Sequence, residues 1–135
     1  MARLTGAGPV YIVSADGSSF QRIGPRGDIW DAVWSPDGRW IAFSMASKAT
    51  GGLFELYLMH PDGSGVRQLT PTTGGLFSLH PTWSPDSSQL LFLRGSTSNV
   101  DLNDIWSINV DGSQLYQVTH QPAGYGTSQA LAWLP

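Results

Sequence analysis

The sequence has no cysteine, a single lysine and no long apolar segment. Without cysteine the chain can form neither a disulfide framework nor a thiolate site. A membrane-spanning helix needs about 20 consecutive apolar residues, and no run approaches that length. Charged residues make up 13% of the chain, and the net charge of −3 comes with no basic cluster. We therefore expect no membrane span, and neither nucleic acid nor an anionic membrane surface as a partner.

Sequence signals of catalysis are also missing. A nucleophile elbow needs Gly-x-Ser-x-Gly, which does not occur, and Ser64 and Ser113 belong to recurring Asp-Gly-Ser turns. No histidine pair has metal-ligand spacing, and no glycine-rich phosphate loop is present. The oxygen-rich group Asp101, Asn103 and Asp104 lacks the ordered spacing of a calcium loop, so we interpret it as a solvated loop. The prediction is a protein with no catalytic residues, no metal and no cofactor.

The sequence does contain a turn flanked by short apolar runs, and this unit recurs. Ser-Pro-Asp-Gly at 35–38 combines a proline that presets φ, an aspartate that can bond its own backbone and a glycine that accepts positive φ. The β-branched and aromatic residues on both sides indicate a β-hairpin over Val33–Phe43. The pattern returns at Thr82–Phe92, with Ser87 in place of the glycine, and begins again at Ala132–Pro135. We therefore expect the turn at Asp86–Ser88 to be slightly strained or of a different type.

The recurrence has a nearly fixed period. Trp34, Trp83 and Trp133 are 49 and 50 residues apart, and three Asp-Gly pairs are 46 and 49 apart. A period of about 40–50 residues filled with short strands is the signature of propeller blades, which are four-stranded sheets around a central channel. No segment has the spacing of an amphipathic helix. The predicted fold class is all-β, a β-propeller with three four-stranded blades per chain, one of them split between the termini.

The whole chain, 1–135, is predicted to form one propeller module. Its parts are strands of a split blade at 1–27, whole blades at 28–70 and 76–120, and a first strand at 128–135 that completes a split blade. An open arc of three blades would expose strand edges and apolar faces, and propellers usually have four to eight blades. We therefore expect two copies to close a six-bladed ring as a homodimer, each C-terminal strand completing the partner's N-terminal blade.

The order Trp-Ser-Pro-Asp-Gly, Ile-Ala-Phe, Leu-Tyr-Leu-Met, Asp-Gly-Ser and Arg-Gln-Leu-Thr resembles the WD-repeat-like blade of TolB-type propellers, over about Val10–Pro135. The resemblance implies a propeller fold and suggests a periplasmic or other extracytoplasmic location, although the first residues contain no apolar signal-peptide core. It does not select a function. Such blades occur in periplasmic TolB proteins, in the gating propellers of prolyl-oligopeptidase-like serine peptidases and in many binding domains.

Two polar residues occupy the same repeat position. Asp31 and His80 each lie three residues before the tryptophan of their unit, on the innermost strand, so both are expected at or near the central channel. They either line a wet channel or contribute to a ligand or peptide site at its mouth. Trp30, Phe77 and Tyr125 lie in or near loops that enter the inner strands, where an exposed aromatic residue would anchor a partner. Packing between blades is the alternative role of these aromatic residues.

Three functions are consistent with the sequence. The first is a non-enzymatic propeller that offers a rigid binding surface to a protein or peptide and self-assembles by exchange of terminal strands. The second is a set of blades from the gating propeller of a prolyl-oligopeptidase-like serine peptidase. The third is a purely structural or engineered self-assembling repeat. We favour the first, because the blade pattern is complete while catalytic residues are missing.

Overall fold

Short antiparallel strands account for nearly all of the regular structure. The computed structural model describes residues 8–120 and 132–133, and only the backbone of 99–102. Within this part the predicted all-β fold is confirmed, with a single turn of 3₁₀ helix, Lys48–Thr50. The strands are β1 (Val10–Val13), β2 (Phe20–Ile23), β3 (Asp28–Trp34), β4 (Ile41–Ala46), β5 (Phe54–Met59), β6 (Arg67–Gln68), β7 (Leu76–Trp83), β8 (Gln89–Ser96), β9 (Asn99–Asn109) and β10 (Tyr116–Gln117).

The strands form three sheets in the described part of the chain. β3 to β6 make one four-stranded sheet, here called blade one, and β7 to β10 make a second, blade two. β1 pairs with β2 in a separate hairpin, and every pairing is antiparallel. Each blade is a meander in sequence order, as in propellers. Over the residues that the structure describes, no helix has the length and apolarity needed to cross a membrane.

A hydroxyl–carboxylate turn closes the first hairpin of each blade. Ser35 Oγ donates to Asp37 Oδ1 at 2.6 Å and accepts from the backbone N–H of Trp40 at 2.9 Å. Gly38 has a φ of 73°, as expected for the glycine of this turn. The same two side-chain bonds recur in blade two and in the β1–β2 hairpin. The recurring serine and aspartate therefore satisfy backbone groups that the turn would otherwise leave open.

Ser87 stands at the glycine position of the blade-two turn and has a φ of 62°. A residue with a Cβ pays about 1 kcal/mol or more for this left-handed conformation, so the expected strain is present. The Ser87 hydroxyl also accepts a hydrogen bond from the backbone N–H of Asp37 in blade one, at 3.1 Å. The side chain that strains its own turn thus joins the two blades.

Two apolar clusters lie on opposite faces of blade one. Alternate residues of β5 contribute to one cluster and then the other, because the strand is covered on both faces. The cluster between blade one and blade two contains Ala42, Leu56, Leu58, Leu69, Trp83, Leu90, Phe92 and Ile108. The cluster on the side of the β1–β2 hairpin contains Ile23, Ile29, Ile41, Phe43, Met45, Tyr57 and Met59. We call the surface where blade one meets blade two the seam.

Each innermost strand carries a β-bulge. β3 and β4 are in register except between Trp30 and Val33, where two residues of β3 face a single residue of β4. β7 has the same shift between Leu79 and Thr82. A bulge changes the face on which the following side chains lie. The sequence alone suggests strict alternation along β3, which would put Ile29 and the tryptophan that ends the strand on opposite faces. This interpretation is wrong, because both residues pack in the same cluster.

The tryptophans that end the two innermost strands differ in burial. Trp83 is 8% exposed and lies in the seam, covered by blade one. Trp34 is only half-buried, because it faces away from blade two, toward the side of the β1–β2 hairpin. Equivalent positions in the repeat thus have unequal surroundings.

Candidate functional site

Asp31 and His80 meet across the two innermost strands. Asp31 Oδ2 lies 2.6 Å from His80 Nδ1, and the two side chains are 7% and 22% exposed. Their shared repeat position is visible in the sequence, but their contact is not. The contact arises because neighbouring blades place equivalent residues side by side.

The bulges turn these two side chains out of the ordinary alternation of a strand. Asp31 has a φ of 53° and His80 a φ of 56°. Left-handed backbone is uncommon for residues other than glycine, although aspartate and histidine tolerate it better than most. Strained residues of this kind are concentrated at ligand clamps and functional sites. Because the same conformation occurs at both equivalent positions, it is a repeated feature of the inner strands.

The Asp31–His80 pair can hold a hydrogen-bonding group. The carboxylate lies at Nδ1 of the imidazole and leaves Nε2 for a second partner. In residues 8–120 and 132–133 no three histidine, aspartate or glutamate side chains form a group that could hold a metal ion.

The predicted aromatic residues have different surroundings. Trp30 is 36% exposed, and its ring centre lies 5.5 Å from that of Phe54. Phe77 is half-buried and pairs across the sheet with Gly95. Tyr125 lies outside the described residues. Trp30 is therefore the candidate anchor that combines exposure with a position directly beside Asp31 in the chain.

Two indole groups donate hydrogen bonds to the innermost strand of the blade before them. Trp83 Nε1 donates to the backbone carbonyl of Val33 at 3.2 Å. Trp133 Nε1 donates in the same way to the carbonyl of Thr82, at 3.3 Å. In both cases the acceptor residue immediately precedes the tryptophan of the earlier blade. The tryptophan period of the sequence thus corresponds to a repeated hydrogen bond between blades.

A buried pair of opposite charges at the seam was missed in the sequence. Glu55 is fully buried and Arg94 is 3% exposed. Glu55 Oε2 accepts hydrogen bonds from Thr70 Oγ1 at 2.5 Å and from Ser78 Oγ at 2.8 Å. Arg94 Nη2 donates to the carbonyl of Pro71 at 2.7 Å, and its guanidinium lies 5.7 Å from the centre of a tryptophan ring. The pair therefore connects blade one, blade two and the segment between them.

Burial and charge act in opposite directions on this pair. Burial raises the pKa of Glu55, while hydrogen bonds from Thr70 and Ser78 and the charge of Arg94 lower it. Burial lowers the pKa of Arg94, and Glu55 partly restores it. A sequence signal was available, because Asp104 occupies the repeat position of Glu55. Like Glu55, Asp104 accepts a hydrogen bond from the threonine 15 residues later.

The turn aspartates have perturbed pKa values for a structural reason. The Ser84 hydroxyl, together with the backbone N–H and hydroxyl of Ser88, lowers the pKa of Asp86 to about 2. Asp16 has the same surroundings and a pKa of about 2. Both carboxylates are held by hydrogen bonds within exposed turns. These shifts mark turn formation and do not indicate an acid or base for catalysis.

Comparison with known proteins supports the fold. No protein-family model and no curated protein matches the sequence. Solved structures do match. A protein of Agrobacterium tumefaciens described as TolB aligns with a TM-score of 0.70 and 22% identity over 82% of this chain and 40% of its own. TolB from Acinetobacter baumannii aligns with a TM-score of 0.62 and 22% identity over 81% of this chain and 26% of its own.

The tricorn protease aligns as well, with a TM-score of 0.58 and 18% identity over 90% of this chain and 10% of its own. The chain spans less than half the length of each of these proteins. Identities this low show the fold alone, and the fold is the one that the blade pattern predicted. The chain has the TolB-type β-propeller fold.

Proposed function

We propose that this chain is a non-enzymatic β-propeller module that binds a protein or peptide at its inner strands. The observation that carries the proposal is the pair of left-handed bulges that bring Asp31 and His80 to 2.6 Å. Each bulge costs about 1 kcal/mol or more. A module that only packed blades together would have no need to repeat that cost at equivalent positions.

The surroundings of the pair suit a polypeptide ligand. A peptide offers backbone N–H and C=O groups, which suit the free ring nitrogen of His80 as hydrogen-bond partners. Trp30, 36% exposed, adds a rigid apolar surface that one ligand side chain can cover. The non-enzymatic role is supported by the lack of a nucleophile motif in the sequence.

Selection from a displayed library of linear peptides tests the binding proposal. Two variants serve as counter-screens, Trp30→Ser, which removes the aromatic surface, and His80→Gln, which keeps a polar side chain of similar length. Ser18→Ala, in the exposed turn between β1 and β2, is the matched control. We expect enriched peptides to bind the wild type and the control equally, and each site variant at least about 10-fold more weakly. Peptides that bind all four proteins equally would contradict the proposed site.

We further propose that a second copy completes the propeller, giving a six-bladed ring from two chains. The proposal rests on the β1–β2 hairpin, whose outer face carries Tyr11, Val13 and Phe20 at 36%, 49% and 67% exposure. Tyr11 and Phe20 stack with ring centres 4.4 Å apart. Tyr11 has the repeat position of Tyr57, which is buried in the next blade. An apolar face at a position that is buried elsewhere in the repeat is suited to a blade of the same kind.

Sedimentation equilibrium from about 1 to 100 μM tests the ring. We expect a monomer–dimer equilibrium with the dimer dominant at the upper end. Phe20→Lys places a charge in the outer face and should shift the equilibrium toward monomer, whereas Arg22→Lys on the same strand should not. A single monomeric species throughout would refute the ring.

A further inference from the structure

The two indole hydrogen bonds between inner strands follow one rule. Trp83 donates to the residue before Trp34, and Trp133 donates to the residue before Trp83. The donor–acceptor separations are 50 and 51 residues, and the distances are 3.2 and 3.3 Å. Both hydrogen bonds thus join the same two repeat positions, the tryptophan of one unit and the residue before the tryptophan of the preceding unit.

Trp34 occupies the donor position of this rule in blade one. Within the part of the chain that the structure describes, its indole N–H donates to no acceptor. The indole is half-buried and packs on the cluster that also includes Ala32 and Ile12. A half-buried N–H without an acceptor loses hydration without compensation, so this position is suited to an incoming carbonyl.

We infer that Trp34 docks on the backbone carbonyl of Ala132 from a second copy of this chain, an inference that rests on the proposed two-chain ring. Ala132 immediately precedes Trp133, as Val33 precedes Trp34 and Thr82 precedes Trp83. Ala132 is exposed, which leaves room for a partner beside it.

The contact cannot form within one chain. Trp133 is bonded to Thr82 of blade two, and Trp34 lies on the opposite face of blade one. Both blades therefore separate the two groups. In a two-fold dimer the same contact forms twice, since each copy supplies one donor and one acceptor.

The test variant is Trp34→Phe, which keeps an aromatic ring and removes the N–H. Two lost hydrogen bonds per dimer should raise the dimer dissociation constant about 10- to 100-fold. Trp83→Phe removes the equivalent bond inside one chain, so it should lower thermal stability and leave the dissociation constant within about 2-fold. Trp40→Phe removes an indole N–H from the turn between β3 and β4 and is the neutral control.

Sedimentation equilibrium measures all four proteins, and hydrogen exchange of the indole N–H of Trp34 by NMR gives an independent readout. We expect that exchange to slow as the protein concentration rises. A dimer that Trp34→Phe leaves unchanged, with exchange independent of concentration, would overturn this inference while the ring stands. A monomer at every concentration would overturn both the Trp34 contact and the two-chain ring.

Discussion

Blade one and blade two have nearly the same backbone and differ in the side chains that meet at the seam. Both are four-stranded meanders with a bulge on the first strand and the same turn after it. Asp31 in blade one corresponds to His80 in blade two, and Gly38 corresponds to Ser87. Both of these differences lie where the blades touch.

The difference shows how the two blades avoid unfavourable contacts between identical side chains. On the innermost strands, neighbouring blades place residues at equivalent positions side by side, so identical repeats would place identical side chains in contact there. Two aspartates at the positions of Asp31 and His80 would form a buried pair of like charges, which is costly. Met45 and Arg94 also share a repeat position, and only Arg94 is charged, near enough to Glu55 for the two charges to interact. Divergence between repeats therefore supplies complementarity at the seam.

The largest effect is expected from truncating the tryptophan at the seam. Trp83→Ala should lower the free energy of unfolding by about 3–5 kcal/mol, as for other large buried side chains. The equivalent change Trp34→Ala should cost about 1–2 kcal/mol, because Trp34 is half-buried. Urea denaturation at low protein concentration compares the two. Equal losses in the free energy of unfolding would contradict the idea that burial in the seam makes Trp83 contribute more than Trp34.

The buried charges give the next effect. Arg94→Met introduces the residue found at the same position of blade one and leaves Glu55 buried without its opposite charge. Glu55→Gln keeps the acceptor for Thr70 and Ser78 and leaves Arg94 unopposed. Each change should cost about 3 kcal/mol.

The two variants combined should cost less than the sum of the single losses by at least about 1 kcal/mol, because the losses of two charges that interact are not additive. Simple additivity in urea denaturation would show that the two charges act independently. Met45→Leu, a volume-conserving change at the equivalent position, is the control and should cost less than about 1.5 kcal/mol.

Placing identical side chains at the two equivalent positions tests directly whether divergence between the repeats stabilises the seam. His80→Asp places a second carboxylate beside Asp31 and should cost about 2 kcal/mol at pH 7. Repulsion raises the pKa of one carboxyl in the folded protein, so the loss should shrink as the pH falls through that raised value. The double exchange Asp31→His with His80→Asp should restore most of the stability. A double variant as unstable as the single one would show that the bulges, rather than the charges, select these residues.

Features that depend on residues close together in the sequence could be predicted, whereas contacts between distant residues could not. The turn at Ser35–Gly38 is specified by bonds between residues at most five positions apart, so its residues identify it. The period of Trp34, Trp83 and Trp133 predicts that the units stack, because a lone sheet cannot bury both faces. The contact between Asp31 and His80 depends on a bulge, and no single residue signals that register shift. The interaction between the charges of Glu55 and Arg94 was not predicted, because it depends on the arrangement of two blades.

The smallest effect concerns Ser87, where two contributions nearly cancel. Replacing Ser87 by glycine relieves about 1 kcal/mol of left-handed strain but removes the hydrogen bond to the Asp37 backbone, worth about 1 kcal/mol. Glycine also gains freedom in the unfolded chain. Ser87→Gly should therefore change the free energy of unfolding by less than about 0.5 kcal/mol.

Ser87→Ala keeps the strain and loses the hydrogen bond, so it should cost about 1 kcal/mol and is the informative partner of the glycine variant. Gly38→Ala, at the equivalent turn of blade one, introduces strain at a φ of 73° without removing any side-chain bond. Its cost should also be about 1 kcal/mol. If Ser87→Ala proved as stable as the wild type while Gly38→Ala did not, the hydroxyl of Ser87 would contribute nothing to the seam, and its bond to blade one would be incidental to the fold.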